Sequence, residues 1–207
     1  MRPDAIIFDL DGTLIDSAAD LTDTLNRLLL EHKCGRLTVE GVRGMIGDGV
    51  AALVCRGFAA VGKRLEASEH RALTRRFLEI YIDPRRDHLA KAYPGVAETL
   101  EVFASAGIRM GVCTNKAQVA TDLVLRDAGL TQFFSAVIGQ DTAPAPKPDA
   151  AHVLAVWSAL ERPKSALMVG DSVNDLRAGK AAGLPAAADG RVDRFDRLPA
   201  EIARLCS

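Results

Sequence analysis

Hydrophobic positions along this chain follow two alternating patterns. In the first, short apolar runs are bounded by polar or turn-forming residues, which is typical of buried strands. In the second, apolar residues recur at helical spacing. The predicted strands cover residues 5–8, 108–113, 135–139, 166–170 and 184–188. The helices predicted between the later strands cover residues 96–106, 116–128, 149–160 and 173–182. Strands that alternate with helices predict an α/β fold in which helices cover both faces of a parallel sheet.

The long stretch between the first two predicted strands contains only helical patterns. Residues 17–20 have the form of a helix capping box, and the leucines after them recur at helical spacing. Further helical patterns cover residues 39–45, 50–61 and 69–82. Because the first strand needs pairing partners from the second half, residues 16–89 are predicted to be inserted into a core formed by residues 1–15 and 90–207. An insertion above the carboxyl ends of parallel strands is a candidate lid over a ligand site.

The composition is that of an ordinary globular protein and argues against several function classes. The 207 residues are 48% hydrophobic and 26% charged, with a net charge of −1, so they have no general attraction for nucleic acid or anionic membranes. No apolar segment approaches the roughly 20 residues that cross a bilayer, and the first residues do not resemble a signal peptide. The four cysteines are too widely spaced to indicate a zinc site or a disulfide framework. We therefore expect a cytoplasmic protein with a small-molecule partner, binding neither nucleic acid nor membrane.

Two carboxylates, Asp9 and Asp11, come directly after the first predicted strand. Residues two apart point the same way if the extended backbone persists past Leu10. Like charges at the end of a buried strand are costly unless a cation or a shared proton compensates them. The pair therefore indicates a metal-dependent catalytic site, and Gly12 allows a tight departure from the strand. The alternative is a plain polar turn, since Asp-Gly is a common turn pair.

Further polar groups follow the later strands or lie in the turns beyond them. These groups are Thr114, Asn115, Lys147, Asp171 and Asp175. Simpler structural explanations exist for single members: Thr114 or Asn115 as a helix N-cap, Asp175 as part of a capping box, and Lys147 as a solvated loop charge. Together with the two aspartates above, however, they place a hydroxyl, an ammonium and four carboxylates on one rim of the sheet. That combination suits a hard cation bound beside a phosphoryl group.

With these motifs in place, the chain resembles phosphatases of the haloacid dehalogenase superfamily, and within it the phosphoglycolate phosphatase group. The resemblance depends on residues 8–14, 114–116, 147–148 and 170–175, which occur in the family's order. It implies a Rossmann-like parallel sheet with an inserted all-helical cap domain. Residues 43–49 are similar to the substrate-specificity loop of that group. The segment after residue 188 is shorter than in similar proteins, so we expect a shortened sheet edge.

The resemblance implies a catalytic role for each core residue. Asp9 would attack phosphorus and form an aspartyl-phosphate, while Asp11 would protonate the leaving alkoxide and then activate water. Lys147 and Mg²⁺ would neutralise the anionic substrate. The expected Mg²⁺ ligands are Asp9, the backbone carbonyl of Asp11, and Asp171. Asp175 would orient a metal-bound water or Lys147. The expected phosphoryl contacts are Thr114 and the backbone donors of Leu10 and Asn115.

The expected substrate is a small carboxylated phosphomonoester such as 2-phosphoglycolate, because a basic cap loop suits a carboxylate. The candidate cap contacts are Arg43, Gly47, Asp48 and Gly49. For Arg43, a charge at a helix end is the alternative.

A sugar phosphomutase needs the same core residues and stays open as a rival, as does a non-catalytic protein that binds a phosphorylated ligand. A dehalogenase is disfavoured because it has no leaving alkoxide for Asp11 to protonate. The physiological substrate and the oligomeric state stay open.

Overall fold

The computed structural model describes residues 2–187 of the chain. These residues form two compact units. The core unit contains the described residues up to Asp16 and from Lys91 onward, and the helical unit is Ser17–Ala90. The boundaries drawn from the sequence, after residues 15 and 89, each lie one residue earlier than the boundaries of these units.

The core unit is built on a five-stranded sheet and a separate two-stranded ladder. The strands are β1 (Ala5–Phe8), β2 (Ile15–Asp16), β3 (Lys91–Ala92), β4 (Arg109–Cys113), β5 (Ala136–Ile138), β6 (Ala166–Val169) and β7 (Ala186–Ala187). The larger sheet has the order β5-β4-β1-β6-β7, and all its neighbouring strands run parallel. The predicted α/β fold with a parallel sheet is therefore confirmed. The segment after Ala187, which carries the expectation of a shortened edge, lies outside the described residues.

The central strand β1 explains how the first motif reaches the middle of the sheet. Its four residues are completely buried. Ala5 pairs with Arg109 of β4 on one side and with Ala166 of β6 on the other. A strand that has neighbours at both edges and helices on both faces is expected to be continuously hydrophobic, as β1 is. Because Asp9 follows β1 directly, its carboxylate lies at the carboxyl end of the central strand.

Helices of the core unit cover both faces of this sheet. The first four helices named next belong to the helical unit instead. In chain order the helices are α1 (Ala18–Glu31), α2 (Val39–Arg43), α3 (Gly49–Ala60), α4 (Ala67–Tyr81), α5 (Val96–Ser105), α6 (Gln118–Asp127), α7 (Ala150–Ala159) and α8 (Val173–Ala181), with a 3-10 turn at Thr131–Phe133. Successive side chains of a strand point to opposite faces. Ile7 accordingly belongs to a buried cluster with Val153 and Val156 of α7. The ring of Phe8 stacks instead on Phe103 of α5, with 6.5 Å between the ring centroids.

A short antiparallel ladder joins the two segments of chain that flank the helical unit. Ile15 of β2 pairs with Ala92 of β3, and Asp16 pairs with Lys91. The backbone N–H of Tyr93 extends the ladder by donating to the carbonyl of Leu14 at 3.0 Å. The sequence patterns do not predict this ladder, because two residues are too few to show a strand pattern. The pairing fixes where the chain leaves and re-enters the core unit.

The helical unit buries one apolar face of each of its three longer helices. The buried leucines of α1 are Leu21, Leu25, Leu28 and Leu29, as their helical spacing predicts. Helix α4 packs against both α1 and α3. The rings of Phe77 and Tyr81 on α4 stack with centroids 6.2 Å apart, and Phe58 of α3 is completely buried. The apolar stripes of these amphipathic helices therefore supply the hydrophobic core of the unit.

The capping box predicted at the start of α1 is wrong. Ser17 precedes the helix but makes no side-chain cap, because its backbone is already helical (φ −98°, ψ −1°) where a capping residue is usually extended. The second member of the predicted box, Asp20, is completely buried. Its Oδ1 accepts hydrogen bonds from Nη2 of Arg86 at 2.6 Å and from the backbone N–H of Leu89 at 3.0 Å. A long-range ion pair therefore takes the carboxylate that the local motif would have used.

Of the described helices, the longest is α4, with 15 residues. Crossing a bilayer takes about 20 predominantly apolar residues. Among residues 2–187, no helix is long and apolar enough to span a membrane.

Candidate active site

The carboxyl ends of β1, β4 and β6 bring the predicted polar residues of the core unit together. At the centre of this group is Lys147, whose ammonium lies 2.7 Å from Oδ1 of Asp9 and 2.6 Å from Oδ1 of Asp175. The Lys147 side chain is only 2% exposed. The alternative of a solvated loop charge is therefore wrong, because this lysine is buried between two carboxylates that are 138 and 28 residues away in the sequence.

The backbone of Lys147 is held in place by the side chain of Asn115. The Asn115 amide accepts a hydrogen bond from the Lys147 N–H at 2.9 Å and donates one to its carbonyl at 3.0 Å. Both residues are buried. The loop after β4 and the loop before α7 are thus joined by a two-way hydrogen bond, which positions the ammonium toward Asp9. Sequence reasoning did not foresee this use of the Asn115 side chain.

Burial and neighbouring charges shift the protonation of this group. Burial, with repulsion from Asp175, raises the pKa of Asp9 to about 7, although Lys147 opposes the shift. Burial by itself lowers the pKa of Lys147, but the attraction of Asp9 and Asp175 outweighs it and holds that pKa above its usual range. Lys147 is therefore a permanent ammonium at neutral pH. A divalent cation beside Asp9 would favour its ionised form, because an opposite charge stabilises a carboxylate.

Three carboxylates converge on one point at this rim. Asp9, Asp171 and Asp175 each offer an oxygen, and these oxygens all lie within 4.8 Å of one another. Lys147 contacts two of these carboxylates, so its single positive charge is outnumbered by the three acidic groups. Closely spaced oxygen ligands with an excess of negative charge are what a hard divalent cation prefers. The residues present therefore fit a metal ion.

The two later aspartates differ in how they are occupied. Asp175 uses Oδ1 for Lys147, while its Oδ2 accepts from Ser172, at 3.0 Å from the backbone N–H and 2.6 Å from the hydroxyl. The predicted capping box of α8 is thus present, and Asp175 serves the cap and Lys147 together. Asp171 is more exposed, and partial desolvation raises its pKa. Its Oδ1 accepts from the hydroxyl of Thr13 at 3.0 Å, which fixes it beside the first motif.

The turn after Asp9 requires glycine at position 12. The carbonyl of Leu10 accepts from the backbone N–H of Leu14 at 2.9 Å, which folds the chain back sharply. Gly12 has φ of +91°, a conformation that other residues rarely adopt. A Cβ atom there would also lie 2.8 Å from Cγ of Asp171. Any side chain at position 12 would therefore displace the carboxylate of Asp171, as well as straining the turn.

The second aspartate, Asp11, has its own lysine. Nζ of Lys116 lies 3.2 Å from Oδ1 and 3.3 Å from Oδ2 of Asp11. Lys116 is 8% exposed. From the sequence, Lys116 is only the last residue of the 114–116 motif, with no predicted role of its own. The available signal was its place directly after Thr114 and Asn115.

The loop after β4 also corrects the predicted N-caps. Helix α6 begins at Gln118, and the residue at its N-cap position is Ala117. Neither Thr114 nor Asn115 is therefore the cap. The Thr114 hydroxyl instead accepts from the backbone N–H of Lys116 at 3.1 Å. Thr114 is 1% exposed and lies at the end of β4. Its predicted contact with a phosphoryl group stays a prediction, as do those of the Leu10 and Asn115 backbones.

The predicted cap contacts all lie in the helical unit. Arg43 ends α2, Gly47 has φ of +116°, and Gly49 begins α3 with φ of +84°. Asp48 forms an ion pair with Arg56, which also donates from Nη1 to the carbonyl of Met45 at 2.9 Å. Arg56 thus ties the loop before α3 to the helix that follows it. The role of the four predicted contacts in binding a substrate stays a prediction.

Comparison with known proteins points to one family. The family model described as haloacid dehalogenase-like hydrolase matches residues 6–188. A phosphoglycolate phosphatase of Caulobacter vibrioides is 45% identical over 181 residues, which cover 87% of this chain and 76% of that protein. A phosphoglycolate phosphatase of Mesorhizobium japonicum is 39% identical, with 96% of this chain and 94% of that protein covered.

A solved structure shows a similar fold. The crystal structure of a predicted phosphoglycolate phosphatase from Haemophilus somnus has a TM-score of 0.84 and 26% identity to this chain. The similarity covers 97% of this chain and 98% of that one. The resemblance identified from the sequence motifs is therefore confirmed. The protein belongs to the family of haloacid dehalogenase-like hydrolases.

Proposed function

We propose that this protein is a Mg²⁺-dependent phosphomonoester hydrolase that works through an aspartyl-phosphate on a small carboxylated substrate such as 2-phosphoglycolate. The observation that carries the proposal is the group in which Lys147 contacts the buried Asp9 and Asp175, while the more exposed Asp171 offers an oxygen close to theirs. The 45% identity to a curated phosphoglycolate phosphatase supports the same reaction class. A carboxylate attacks an anionic phosphate only where positive charge is concentrated around the reacting atoms.

Asp9 is the nucleophile in this proposal. It is 6% exposed and lies at the carboxyl end of the central strand, where ligands of parallel sheets bind. Its Oδ1 is held by Lys147 at 2.7 Å, so the attacking group is oriented before substrate arrives. The bond that forms joins a carboxylate oxygen to phosphorus, and the bond that breaks releases the alkoxide. Water then hydrolyses the aspartyl-phosphate, regenerating Asp9 and releasing inorganic phosphate.

Asp9, Asp171 and the backbone carbonyl of Asp11 are the residues that would hold Mg²⁺, which supplies charge neutralisation when bound. Asp175 is better suited to orientation than to direct ligation, because Lys147 and Ser172 already occupy both of its oxygens. Lys147 contributes a fixed positive charge on the other side of Asp9. These two sources of positive charge would offset the repulsion between the nucleophile and the phosphoryl oxygens.

Asp11 is the general acid and base. Its side chain is 13% exposed, so it is more accessible than Asp9. In the first step its proton passes to the leaving alkoxide, and in the second it accepts a proton from the attacking water. Thr114 and the backbone N–H groups of Leu10 and Asn115 would bind the phosphoryl oxygens. Arg43 and the loop at Gly47, Asp48 and Gly49 would select the remainder of the substrate.

The substrate assignment is tested by a matched pair of phosphomonoesters. We would measure phosphate release from 2-phosphoglycolate and from 2-hydroxyethyl phosphate, which has the same skeleton but no carboxylate, with Mg²⁺ and with a chelator. We expect Mg²⁺-dependent release from both, with a higher kcat/KM for 2-phosphoglycolate. Arg43→Gln should raise KM about tenfold for the carboxylated substrate alone, because a charge-assisted hydrogen bond is lost.

Three results would contradict parts of the proposal. Equal kcat/KM for the two esters would remove the carboxylated substrate while leaving the reaction class. Conversion of a sugar 1-phosphate to its 6-phosphate without net phosphate release would favour the rival phosphomutase. Absence of phosphate release from any ester of a wider panel would favour a binding protein without catalytic activity.

A further inference from the structure

A second lysine of the site is given no role by the mechanism above. Lys116 donates to both carboxylate oxygens of Asp11, at 3.2 and 3.3 Å. The two side chains are 6% and 13% exposed, so this ion pair is largely withdrawn from solvent. Desolvating two charges is costly, and a structural contact at this place could be made as well by apolar residues. The pair therefore calls for a functional explanation.

We propose that Lys116 is a positioning residue, which holds the carboxyl group of Asp11 in the orientation that serves the leaving group. This inference rests on the proposed function, because it acts through the acid–base role of Asp11. Without the ammonium, the Asp11 side chain would rotate among its rotamers, and fewer molecules would present the acid to the leaving oxygen. Losing such prealignment lowers the rate of the chemical step rather than the affinity for substrate.

The loop that carries Lys116 is itself rigidly held. The backbone N–H of Lys116 donates to the hydroxyl of Thr114 at 3.1 Å, and the Lys116 carbonyl accepts from the backbone N–H of Gln140 at 2.9 Å. The chain around Asp11 is fixed as well, since Gly12 donates to the carbonyl of Ile15 at 2.9 Å. Both backbones are therefore anchored, and the ion pair fixes the side chain between them.

The two lysines of the site divide the acidic residues between them. Lys147 contacts Asp9 and Asp175, whereas Lys116 contacts Asp11. The nucleophile and the acid–base residue, only two positions apart, are thereby held by ammonium groups from different loops. A single lysine between them would draw both carboxylates to one point. Two lysines keep the attacking oxygen and the proton donor in separate places, as in-line displacement at phosphorus requires.

The test compares substrates whose leaving groups differ in their need for a proton. An alkoxide, as in 2-phosphoglycolate, must be protonated as it leaves, whereas 4-nitrophenolate is stable without a proton. Lys116→Met keeps the length of the side chain and removes its charge. The second step, in which Asp11 activates water, is the same for both substrates, so the comparison uses the single-turnover rate of leaving-group release, which reports the first step alone. We expect Lys116→Met to lower that rate at least about tenfold for 2-phosphoglycolate, with the substrate dissociation constant within about twofold, and less than about threefold for 4-nitrophenyl phosphate.

A double-mutant cycle with Asp11→Asn makes the inference specific. If Lys116 acts through Asp11, the Lys116→Met substitution should have little further effect on the single-turnover rate for 2-phosphoglycolate once Asp11 is asparagine. Lys164→Met, at an exposed lysine of the core unit, is the matched control for removing a charge. It should match the wild type for both substrates. Circular dichroism and thermal unfolding of each variant would verify that the fold is retained.

Several outcomes would overturn the inference. Equal losses of the single-turnover rate for the two substrates, or additive effects in the cycle, would show a merely structural role. A weaker affinity confined to 2-phosphoglycolate, with the single-turnover rate retained, would make Lys116 a substrate contact instead. In both cases the proposed function would stand, provided that Asp11→Asn alone shows the dependence on leaving group. Loss of that dependence in Asp11→Asn, or absence of phosphate release by the wild type, would overturn the proposed function and this inference together.

Discussion

Each unit of the protein contains a charged cluster with a buried ion pair, and the two clusters are balanced differently. In the helical unit, Arg86 lies 2.6 Å from Asp20, and the nearby Asp23 is 2.8 Å from Arg27. Two arginines thus face two aspartates. In the core unit, Lys147 faces three carboxylates. In a balanced cluster the opposite charges compensate each other, whereas an unbalanced cluster needs a cation or a proton from outside.

The two clusters also differ in the residues around them and in their location. The Arg86–Asp20 pair joins the start of α1 to the end of the helical unit, because Asp20 also accepts from the N–H of Leu89. Arg86 donates to the carbonyl of Tyr81 at 3.3 Å and lies over its ring. The core cluster lies at the carboxyl ends of parallel strands, where ligands of such sheets bind. Balance and location together separate a structural cluster from a functional one.

The largest expected effect comes from removing the nucleophile of the unbalanced cluster. Asp9→Asn should lower kcat by several orders of magnitude, since an amide does not form the aspartyl-phosphate. The fold should be retained, because the substitution also removes one of the crowded negative charges. Phosphate release and urea unfolding of the purified variant would measure the two effects. Substantial residual turnover would mean that another group attacks phosphorus.

Breaking the balanced cluster should affect stability and leave the chemistry intact. Arg86→Met leaves Asp20 buried without its counter-charge, which costs about 3–5 kcal/mol in comparable buried pairs. We expect that loss in the free energy of unfolding, measured with urea. At a temperature where the variant is folded, its kcat should be close to that of the wild type. Replacing both partners, as Asp20→Leu with Arg86→Met, should recover part of the loss. Unchanged stability of the single variant would remove the structural role of this pair.

Adding Mg²⁺ should stabilise the protein only through the unbalanced cluster. At a concentration 100 times the dissociation constant, a ligand that binds the native state alone adds about 2.7 kcal/mol. We expect a corresponding rise in Tm for the wild type and for Arg86→Met. Asp171→Asn should lose most of the rise, because one of the three carboxylates is gone. Calorimetric scans with and without Mg²⁺ would measure this. An equal rise in Asp171→Asn would place the ion elsewhere.

The smallest expected effect comes from the cap that shares Asp175 with the site. Ser172→Ala removes the hydroxyl that donates to Oδ2 of Asp175 at 2.6 Å and accepts from its backbone N–H. Loss of an N-cap costs about 1 kcal/mol. We expect that decrease in unfolding free energy, together with a modest decrease in kcat, because Asp175 also orients Lys147. Full activity with reduced stability would confine Ser172 to the helix.

Much of the core unit could be predicted from local patterns. A continuously apolar strand that ends in Asp9, and a later one followed by Asp171, are readable because strand character depends on neighbouring residues. The same holds for the capping box at Ser172 and Asp175, whose members are three residues apart. The prediction failed where a local motif competed with a distant partner. The residues at the start of α1 have the sequence of a capping box, yet the Asp20 carboxylate binds Arg86, which is 66 residues away.

The amino-acid sequence by itself determined the family, the order of the strands and helices of the larger sheet, and which acidic residues and lysine to expect at its rim. It did so because each is recorded in short, contiguous segments. Only the tertiary structure decided which lysine serves which carboxylate. Lys116 meets Asp11 across 105 positions, and Lys147 meets Asp9 across 138. Such pairings follow from the parallel sheet, which brings the carboxyl ends of distant strands to one rim, and no local pattern encodes the distances there.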